Sequence, residues 1–400
     1  MTSFRMRLSW LILILSAMFC FGASDPEPAA LLQKGVTRGF PGIALMIRDG
    51  KGTIRSAAAG YSDLEHHTAM KVDDGFHLAS VTKVFTAVAT LRFVDQRKLS
   101  LDARLADLLG DAVSKIPNAD KITVEQLLDH SSGIYPTNND LDYLSYVIGS
   151  KADPKRIYSS EEFLALADPD RNKPRGAPGS GHYYSDTNYI LLGMILEKVS
   201  GRPFKKIVEE NIFQPLKMDS TYFYSDVLLG NSEPKVKTVQ GYLLATPELQ
   251  SIFQIPPLFK PVPGMSRKDG VLLNTTLASE RIDSAGGIVS TLPDLMKFAE
   301  AVFYGKLLTP ASQKFLMAAA DGMKREPVGA SRTWTMEAVR KEFGVLVFKS
   351  GDGPGGVNTL MAYSPDLNTI YLCFTNYFGN SGEVDFMMDE IIGPLSGPDR

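Results

Sequence analysis

The sequence predicts an α/β protein of the α+β type, with one antiparallel sheet that is formed from both chain ends and flanked by helices. Two observations support this prediction. Extended apolar runs surround the Asp49-Gly50 turn near the N-terminus, and three more lie near the C-terminus, at residues 42–48, 53–60, 343–349, 357–363 and 369–375. The residues between these two groups are mainly helical in pattern. Because strands must pair to bury their apolar faces, we expect the two ends to share one sheet, with a helical region inserted between them.

Helical periodicity is clearest where apolar residues follow Ser80 at positions 81, 84, 85, 88 and 91. The same spacing predicts helices over residues 189–200, 204–212, 292–304 and 384–392, and shorter ones over 99–102, 106–109 and 123–128. Residues 169–181 are rich in proline, glycine and charge, which predicts an exposed loop. Residues 230–268 contain many prolines, so we expect irregular structure with a short strand over 239–244.

The first 23 residues have the pattern of a secretory signal peptide. Arg5 and Arg7 precede an apolar run over 8–21, and small residues follow at 22–24. We therefore expect an exported protein, periplasmic or secreted, with no membrane span after cleavage; an uncleaved anchor is the alternative. The rest, 24–400, is predicted to be one domain, with a sheet region of 24–94 plus 285–400 and a helical region of 95–284.

Composition argues against nucleic-acid binding, and the positions of cysteine and histidine argue against a metal site. The 400-residue chain is 44% hydrophobic and 22% charged, with a net charge of −3, so it lacks the basic surface expected of a nucleic-acid-binding protein. Of its two cysteines, Cys20 belongs to the signal segment and Cys373 lies in an apolar run, where a buried core residue is expected. The five histidines do not have metal-ligand spacing, so we expect no metal and no cofactor.

Ser80 and Lys83 form a Ser-x-x-Lys pattern at the predicted start of a helix. Residues i and i+3 share a helix face, so the lysine amine can reach the serine hydroxyl. A helix start also offers free backbone N–H groups. The pattern thus supplies a nucleophile with its own base. A helix cap beside a surface lysine has the same local pattern, so further partners are needed.

Two distant segments could supply these partners. Tyr184 precedes Ser185 and Asp186 at the entrance to a predicted helix, and a tyrosine can shuttle a proton when positive charge is near. Lys349 precedes Ser350 and Gly351 at the end of a predicted strand, where a lysine can hold a substrate carboxylate and a glycine lets a ligand approach the backbone.

Together, Ser80-x-x-Lys83, Tyr184-Ser185-Asp186 and Lys349-Ser350-Gly351 resemble the motifs of the serine β-lactamase and penicillin-binding-protein superfamily. The resemblance is to the branch with class C β-lactamases, D-Ala-D-Ala carboxypeptidases and related esterases. It spans residues 42–376 and implies the β-lactamase/transpeptidase-like fold. Further similar segments lie at 127–134, 184–193, 215–218 and 285–291.

The resemblance implies a role for each of these residues. Ser80 would form an acyl-enzyme, Lys83 would assist its deprotonation, and Tyr184 would relay protons to the leaving group and in deacylation. Lys349, with Ser350 and Gly351, would bind the substrate. The backbone N–H groups of Ser80 and Asp352 would form the oxyanion hole.

Two positions bear on the substrate. Asp186 stands where β-lactamases and most penicillin-binding proteins have an asparagine that donates to the substrate's amide carbonyl. An ionised carboxylate only accepts hydrogen bonds, and it could instead pair with Lys83 or Lys349. Lys349, where many esterase-like relatives have histidine, favours a substrate that carries a carboxylate.

We therefore expect a serine hydrolase that acts on a small-molecule or peptide substrate of the amide type, such as a β-lactam or a D-Ala-terminated peptide. A carboxylesterase of the same fold is an alternative, and so is a non-hydrolytic penicillin-binding sensor protein. The sequence has no Gly-x-Ser-x-Gly elbow, which argues against an α/β-hydrolase.

Overall fold

The computed structural model describes residues 26–153, 155–267, 269–275, 282–318, 331–333, 336–379 and 382–396. The predicted signal peptide over residues 1–23 lies outside the described residues. Within them, no helix has both the length and the apolar character needed to cross a membrane.

Within these residues, an eight-stranded sheet combines the two ends of the chain, as the sequence predicts. All its strands pair antiparallel, in the order β10-β11-β12-β13-β14-β1-β2-β3. Their bounds are β1 Gly42–Arg48, β2 Ile54–Asp63, β3 Thr68–Ala69, β10 Ser331–Thr333, β11 Glu337–Lys341, β12 Gly344–Gly353, β13 Val357–Ser364 and β14 Thr369–Thr375.

Two smaller sheets join the large one to the inserted region. The first has the order β4-β9-β5 and the second β15-β6-β8-β7. Their bounds are β4 Phe76–His77, β5 Tyr222–Phe223, β6 Tyr242–Ala245, β7 Pro261–Arg267, β8 Gly270–Asn274, β9 Ile288–Ser290 and β15 Tyr377–Phe378. The region 95–284 therefore contributes strands as well as helices.

The α-helices of the described residues lie on both faces of the large sheet and around the smaller ones. Their bounds are α1 Pro26–Arg38, α2 Thr82–Asp95, α3 Leu105–Leu109, α4 Val124–Leu128, α5 Leu141–Val147, α6 Ser160–Leu166, α7 Asp186–Ser200, α8 Phe204–Val208, α9 Tyr224–Leu228, α10 Pro247–Phe253, α11 Leu292–Phe303, α12 Pro310–Leu316, α13 Glu383–Phe386 and α14 Gly393–Leu395. Single turns of 3₁₀ or π type extend several of them, at Ala79–Val81, Gly110–Val113, Thr137–Asn139, Glu209–Phe213 and Met387–Ile392.

Strand β1 shows why the central strands are apolar without alternation. Ile43, Leu45 and Ile47 face the core beneath α1 and the C-terminal helices. Ala44 and Met46 face the opposite core, which contains α2 and α11. Because side chains alternate across a strand, a strand covered on both faces must be apolar throughout.

The cysteine at position 373 belongs to this core, as the sequence predicts. Cys373 is fully buried in β14, and burial raises the pKa of its thiol to about 12. A thiol of that kind is inert at neutral pH.

Several sequence predictions of local structure are wrong. Residues 99–102 form a turn instead of a helix, because the carbonyl oxygen of Leu101 accepts a hydrogen bond from the N–H of Glu125 at the start of α4. The region 230–268 is more regular than predicted, since it holds β6, α10 and β7. Pro247 begins α10, and Pro261 and Pro263 lie within β7, where prolines weaken the sequence pattern expected of a strand. Strands β10 and β11 were not predicted.

Candidate active site

Ser80 lies in the 3₁₀ turn Ala79–Val81, directly before α2. The preceding residue, Ala79, has a φ of +44°, in the left-handed region that is costly for a residue with a Cβ. Helix α2 is buried on almost every side, and its apolar positions predicted from the sequence are all buried. The serine hydroxyl is therefore presented at the start of a helix that the core surrounds on nearly every side.

The amine of Lys83 lies one helical turn beyond the serine and is fully buried. It donates to Ser80 Oγ at 2.8 Å and to the carbonyl oxygen of Ala285 at 2.8 Å. It also forms an ion pair with Asp186, with 2.6 Å between Nζ and Oδ1. All three partners are acceptors, which is the environment of an ammonium group with its three donors.

Asp186 is the first residue of α7 and is 1% exposed. Of the two lysines that the sequence offered as partners, the structure pairs it with Lys83. This contact joins the start of α7 to the nucleophile helix α2.

Tyr184 brings a second group to the nucleophile. Its hydroxyl donates to Ser80 Oγ at 2.9 Å. Its ring lies near two lysine amines, with 4.6 Å from Lys349 Nζ and 5.3 Å from Lys83 Nζ to the ring centre. Two adjacent cations favour negative charge on a phenol oxygen, so this is a suitable place for a proton shuttle.

His130 packs beneath Tyr184, with 4.3 Å between ring centres. Its Nδ1 accepts a hydrogen bond from the backbone N–H of Ser185 at 3.2 Å, so a neutral ring carries its proton on Nε2. Burial, followed by the charges of Lys349 and Lys83, holds the pKa of His130 well below its usual range. The histidine is therefore a neutral support for the tyrosine.

Lys349 lies on β12, is 1% exposed, and forms an ion pair with Glu337 of the neighbouring strand β11. The distance from Nζ to Glu337 Oε1 is 3.2 Å. The strand register sets Glu337 opposite Phe348, one residue before the lysine. This partner was missed at the sequence level, because its role depends on a strand pairing that the sequence did not predict.

Gly351 allows β12 to pack directly against the nucleophile turn, Ala79–Val81. A Cβ at this position would lie 2.2 Å from the carbonyl oxygen of Leu78 and 2.8 Å from the backbone nitrogen of Ser80. Real Cβ atoms do not approach backbone atoms so closely, so only glycine allows this contact. The sequence implied an oxyanion hole between Ser80 and Asp352, and the tight contact at Gly351 holds these two segments side by side.

These groups surround a cleft of about 210 Å³. Six residues that the sequence singled out line it, namely Ser80, Tyr184, Asp186, Lys349, Ser350 and Asp352. Asn138 and Glu337, which the sequence analysis missed, complete the lining. Within the part of the chain that the structure describes, no group of three or more His, Cys, Asp or Glu side chains is arranged to hold a metal ion.

A serine hydroxyl that contacts a lysine amine and a tyrosine hydroxyl in a cleft of this kind defines a serine hydrolase. The chain belongs to the beta-lactamase family, since the sequence profile of that family matches residues 29–391. Family and fold therefore agree with the resemblance found in the sequence motifs.

Individual relatives cover the chain to different extents. It is 30% identical over 209 residues to N-acetylmuramyl-L-alanine amidase of Bacillus subtilis (strain 168), an alignment that covers 48% of this chain and 45% of that protein. It is 25% identical over 354 residues to putative penicillin-binding protein PbpX of the same strain, covering 86% of this chain and 72% of the relative. The chain thus spans less than half of the first relative's length.

Among solved structures, a D-stereospecific amidohydrolase from Streptomyces sp. has the same fold. It superposes with a TM-score of 0.70 at 25% identity, covering 91% of this chain and 98% of that one.

Proposed function

We propose that the protein is an exported serine hydrolase that cleaves an amide-type substrate, a β-lactam or a D-Ala-terminated peptide, through an acyl-enzyme on Ser80. The contact of Ser80 Oγ with both Lys83 and Tyr184, at 2.8 and 2.9 Å, carries this proposal. The similarity to a penicillin-binding protein and to a D-stereospecific amidohydrolase supports an amide of a D-amino acid as the substrate class.

In the proposed reaction, Ser80 Oγ attacks the amide carbonyl carbon while its proton passes to Tyr184. Lys83, with Asp186 beside it, acts as a cation that stabilises the developing alkoxide, and we assign the base role to a deprotonated Tyr184. The backbone N–H groups of Ser80 and Asp352 stabilise the negative carbonyl oxygen. When the C–N bond breaks, Tyr184 returns the proton to the leaving amine. Water, deprotonated by the same tyrosine, then releases the acid and regenerates the serine.

The experiment that tests this proposal combines intact-mass analysis with turnover assays. We expect a penicillin to add its mass to the protein, with the label on Ser80, and the Ser80→Ala variant to remain unlabelled and inactive. Parallel assays use a chromogenic cephalosporin, a D-Ala-D-Ala peptide and a p-nitrophenyl ester. A stable adduct with no turnover of any substrate would favour the sensor alternative. Full activity of Ser80→Ala would disprove the nucleophile assignment.

Export is tested separately from catalysis. The proposed signal segment predicts that protein recovered from the periplasm or the medium has lost about the first 23 residues, as measured by N-terminal sequencing. Recovery of the full-length chain from the membrane fraction would support the uncleaved anchor instead.

A carboxylesterase of the same fold is a second candidate, and Asp186 favours it. A buried carboxylate that pairs with Lys83 has no donor to offer the amide carbonyl of a substrate. We expect Asp186→Asn, which supplies an NH₂ donor, to raise the ratio of amide to ester kcat/KM by roughly tenfold, a change worth one good hydrogen bond.

The ratio is measured with an amide and an ester that share one acyl group. Asp111→Asn removes the same charge from an exposed turn and serves as the control. An amide-to-ester ratio that Asp186→Asn leaves at the control value would show that residue 186 does not set the choice between the two substrates.

A further inference from the structure

The lysine expected to hold a substrate carboxylate already has a carboxylate partner. Lys349 is 1% exposed, its amine contacts Glu337 at 3.2 Å, and it lies over the ring of Tyr184. Glu337 therefore already balances the charge of this amine, which weakens its attraction for a substrate carboxylate. Because both charges are largely removed from water, the existing pair is much stronger than an exposed one.

The charged side chains at the cleft sum to a net negative charge. Three carboxylates line it, those of Asp186, Glu337 and Asp352. Two lysines neutralise two of them, Lys83 through Asp186 and Lys349 through Glu337. Three negative charges against two positive ones leave one excess negative charge among these described residues.

Asp352 carries that excess. Its side chain is exposed at the cleft, and no ion-pair partner is present for it among the described residues. The surrounding protein displaces bulk water, and this raises the pKa of the Asp352 carboxyl; Lys349 and Lys83 act to lower that pKa, and Glu383 and Asp186 act to raise it.

We propose that the cleft favours substrates that present an ammonium group over those that present a carboxylate, with Glu337 and Asp352 as the specificity-determining residues. This inference rests on the proposed amide hydrolysis. Among amides it favours D-amino-acid amides or peptides with a free amino group near the scissile bond. It ranks these above β-lactams and D-Ala-terminated peptides, which carry the carboxylate that the expected role of Lys349 favoured. Glu337 acts by neutralising Lys349, and Asp352 by attracting the ammonium group.

The test uses three substrates that share one scissile bond and one leaving group. They are D-alanine p-nitroanilide, its N-acetyl derivative and its N-succinyl derivative, which present an ammonium, a neutral amide and a carboxylate. For the unmodified protein we expect kcat/KM to fall in that order, by roughly tenfold or more between the first and the last, the size of one partly screened charge interaction.

Glu337→Gln and Asp352→Asn are each expected to reduce the ammonium-to-carboxylate ratio severalfold. Asp352→Asn keeps the backbone N–H of residue 352. Glu342→Gln is the matched control, since it removes the same charge from an exposed turn between β11 and β12, and its ratio should equal that of the unmodified protein. A variant that only disturbs packing would lower kcat/KM for all three substrates equally and leave the ratio unchanged.

Three results would overturn the inference. The first is a preference of the unmodified protein for the N-succinyl substrate. The second is no turnover of any of the three substrates while a cephalosporin is hydrolysed, and the third is a ratio that neither variant changes. In all three cases the proposed function stands as long as Ser80 is acylated, whereas full activity of Ser80→Ala would overturn the proposed function itself.

Discussion

Replacement of Lys83 by methionine is expected to lower kcat/KM on every substrate by roughly a thousandfold, within the usual range for loss of a group that assists proton transfer. The amine is the only lysine group in contact with Ser80 Oγ among the described residues, at 2.8 Å. Methionine keeps an unbranched apolar side chain, one heavy atom shorter than that of lysine, and removes the amine and its charge. Steady-state kinetics and the rate of acylation by a β-lactam measure the effect.

The same substitution should also destabilise the fold. It leaves the carboxylate of Asp186 buried without its cation, and breaking a buried ion pair in this way costs about 3–5 kcal/mol. Urea unfolding followed by circular dichroism measures the free energy of unfolding. Lys51→Met, at an exposed turn, is the control and should change neither quantity.

The double variant Lys83→Met/Asp186→Leu separates the two effects. Removing both charges eliminates the unpaired carboxylate, so most of the lost free energy of unfolding should return. Activity should remain low, because no amine contacts the serine. If the single variant keeps its full stability, the 2.6 Å contact between Lys83 and Asp186 does not stabilise the fold as an ion pair.

The strands of the central sheet were largely predictable, because burial on both faces makes each one a short continuous apolar run. The run over residues 369–375 matches β14, and the hairpin around Asp49-Gly50 matches β1 and β2. Helix α7 begins three residues earlier than its apolar pattern indicated, since Asp186 and the next two residues are polar yet buried. Periodicity detects apolar packing and gives no signal for such buried polar positions.

The candidate site likewise combines residues that the sequence could identify with one that it could not. Ser80, Lys83, Tyr184 and Lys349 could be found because their motifs have fixed local spacing, and the structure brings all four together. Glu337 could not be found in this way, because its contact with Lys349 depends on the register between β11 and β12. The charge balance of the cleft therefore differs from what the motifs imply.

The choice between Lys83 and Lys349 as the partner of Asp186 was also open in the sequence. Both lysines are distant from Asp186 along the chain, and only the packing of α7 against α2 decides between them. Since Glu337 forms an ion pair with Lys349, each of the two lysines has its own carboxylate partner. Motif spacing alone carries no information about such a pairing.

Gly351→Ala is expected to reduce kcat by roughly 10²-fold or more, comparable to the loss of one oxyanion-hole donor. The added Cβ would lie 2.2 Å from the carbonyl oxygen of Leu78, 2.8 Å from the nitrogen of Ser80 and 3.0 Å from the nitrogen of Val81. These are all backbone atoms, so no side-chain rotation can relieve the contact. Either β12 or the nucleophile turn must move, and the two N–H groups proposed to bind the oxyanion then separate.

Gly351→Ala should also lower the free energy of unfolding, by about 1–3 kcal/mol, as at other overpacked sites. Gly382→Ala is the matched control, because a Cβ there meets only the flexible end of Arg38, at 3.6 Å. Because the damage is at the site of charge development, kcat should fall more than KM rises. If Gly351→Ala instead acylates and turns over like the control, the tight approach of β12 to the Ser80 turn does not position the oxyanion hole, and the donor assigned to residue 352 must be sought elsewhere.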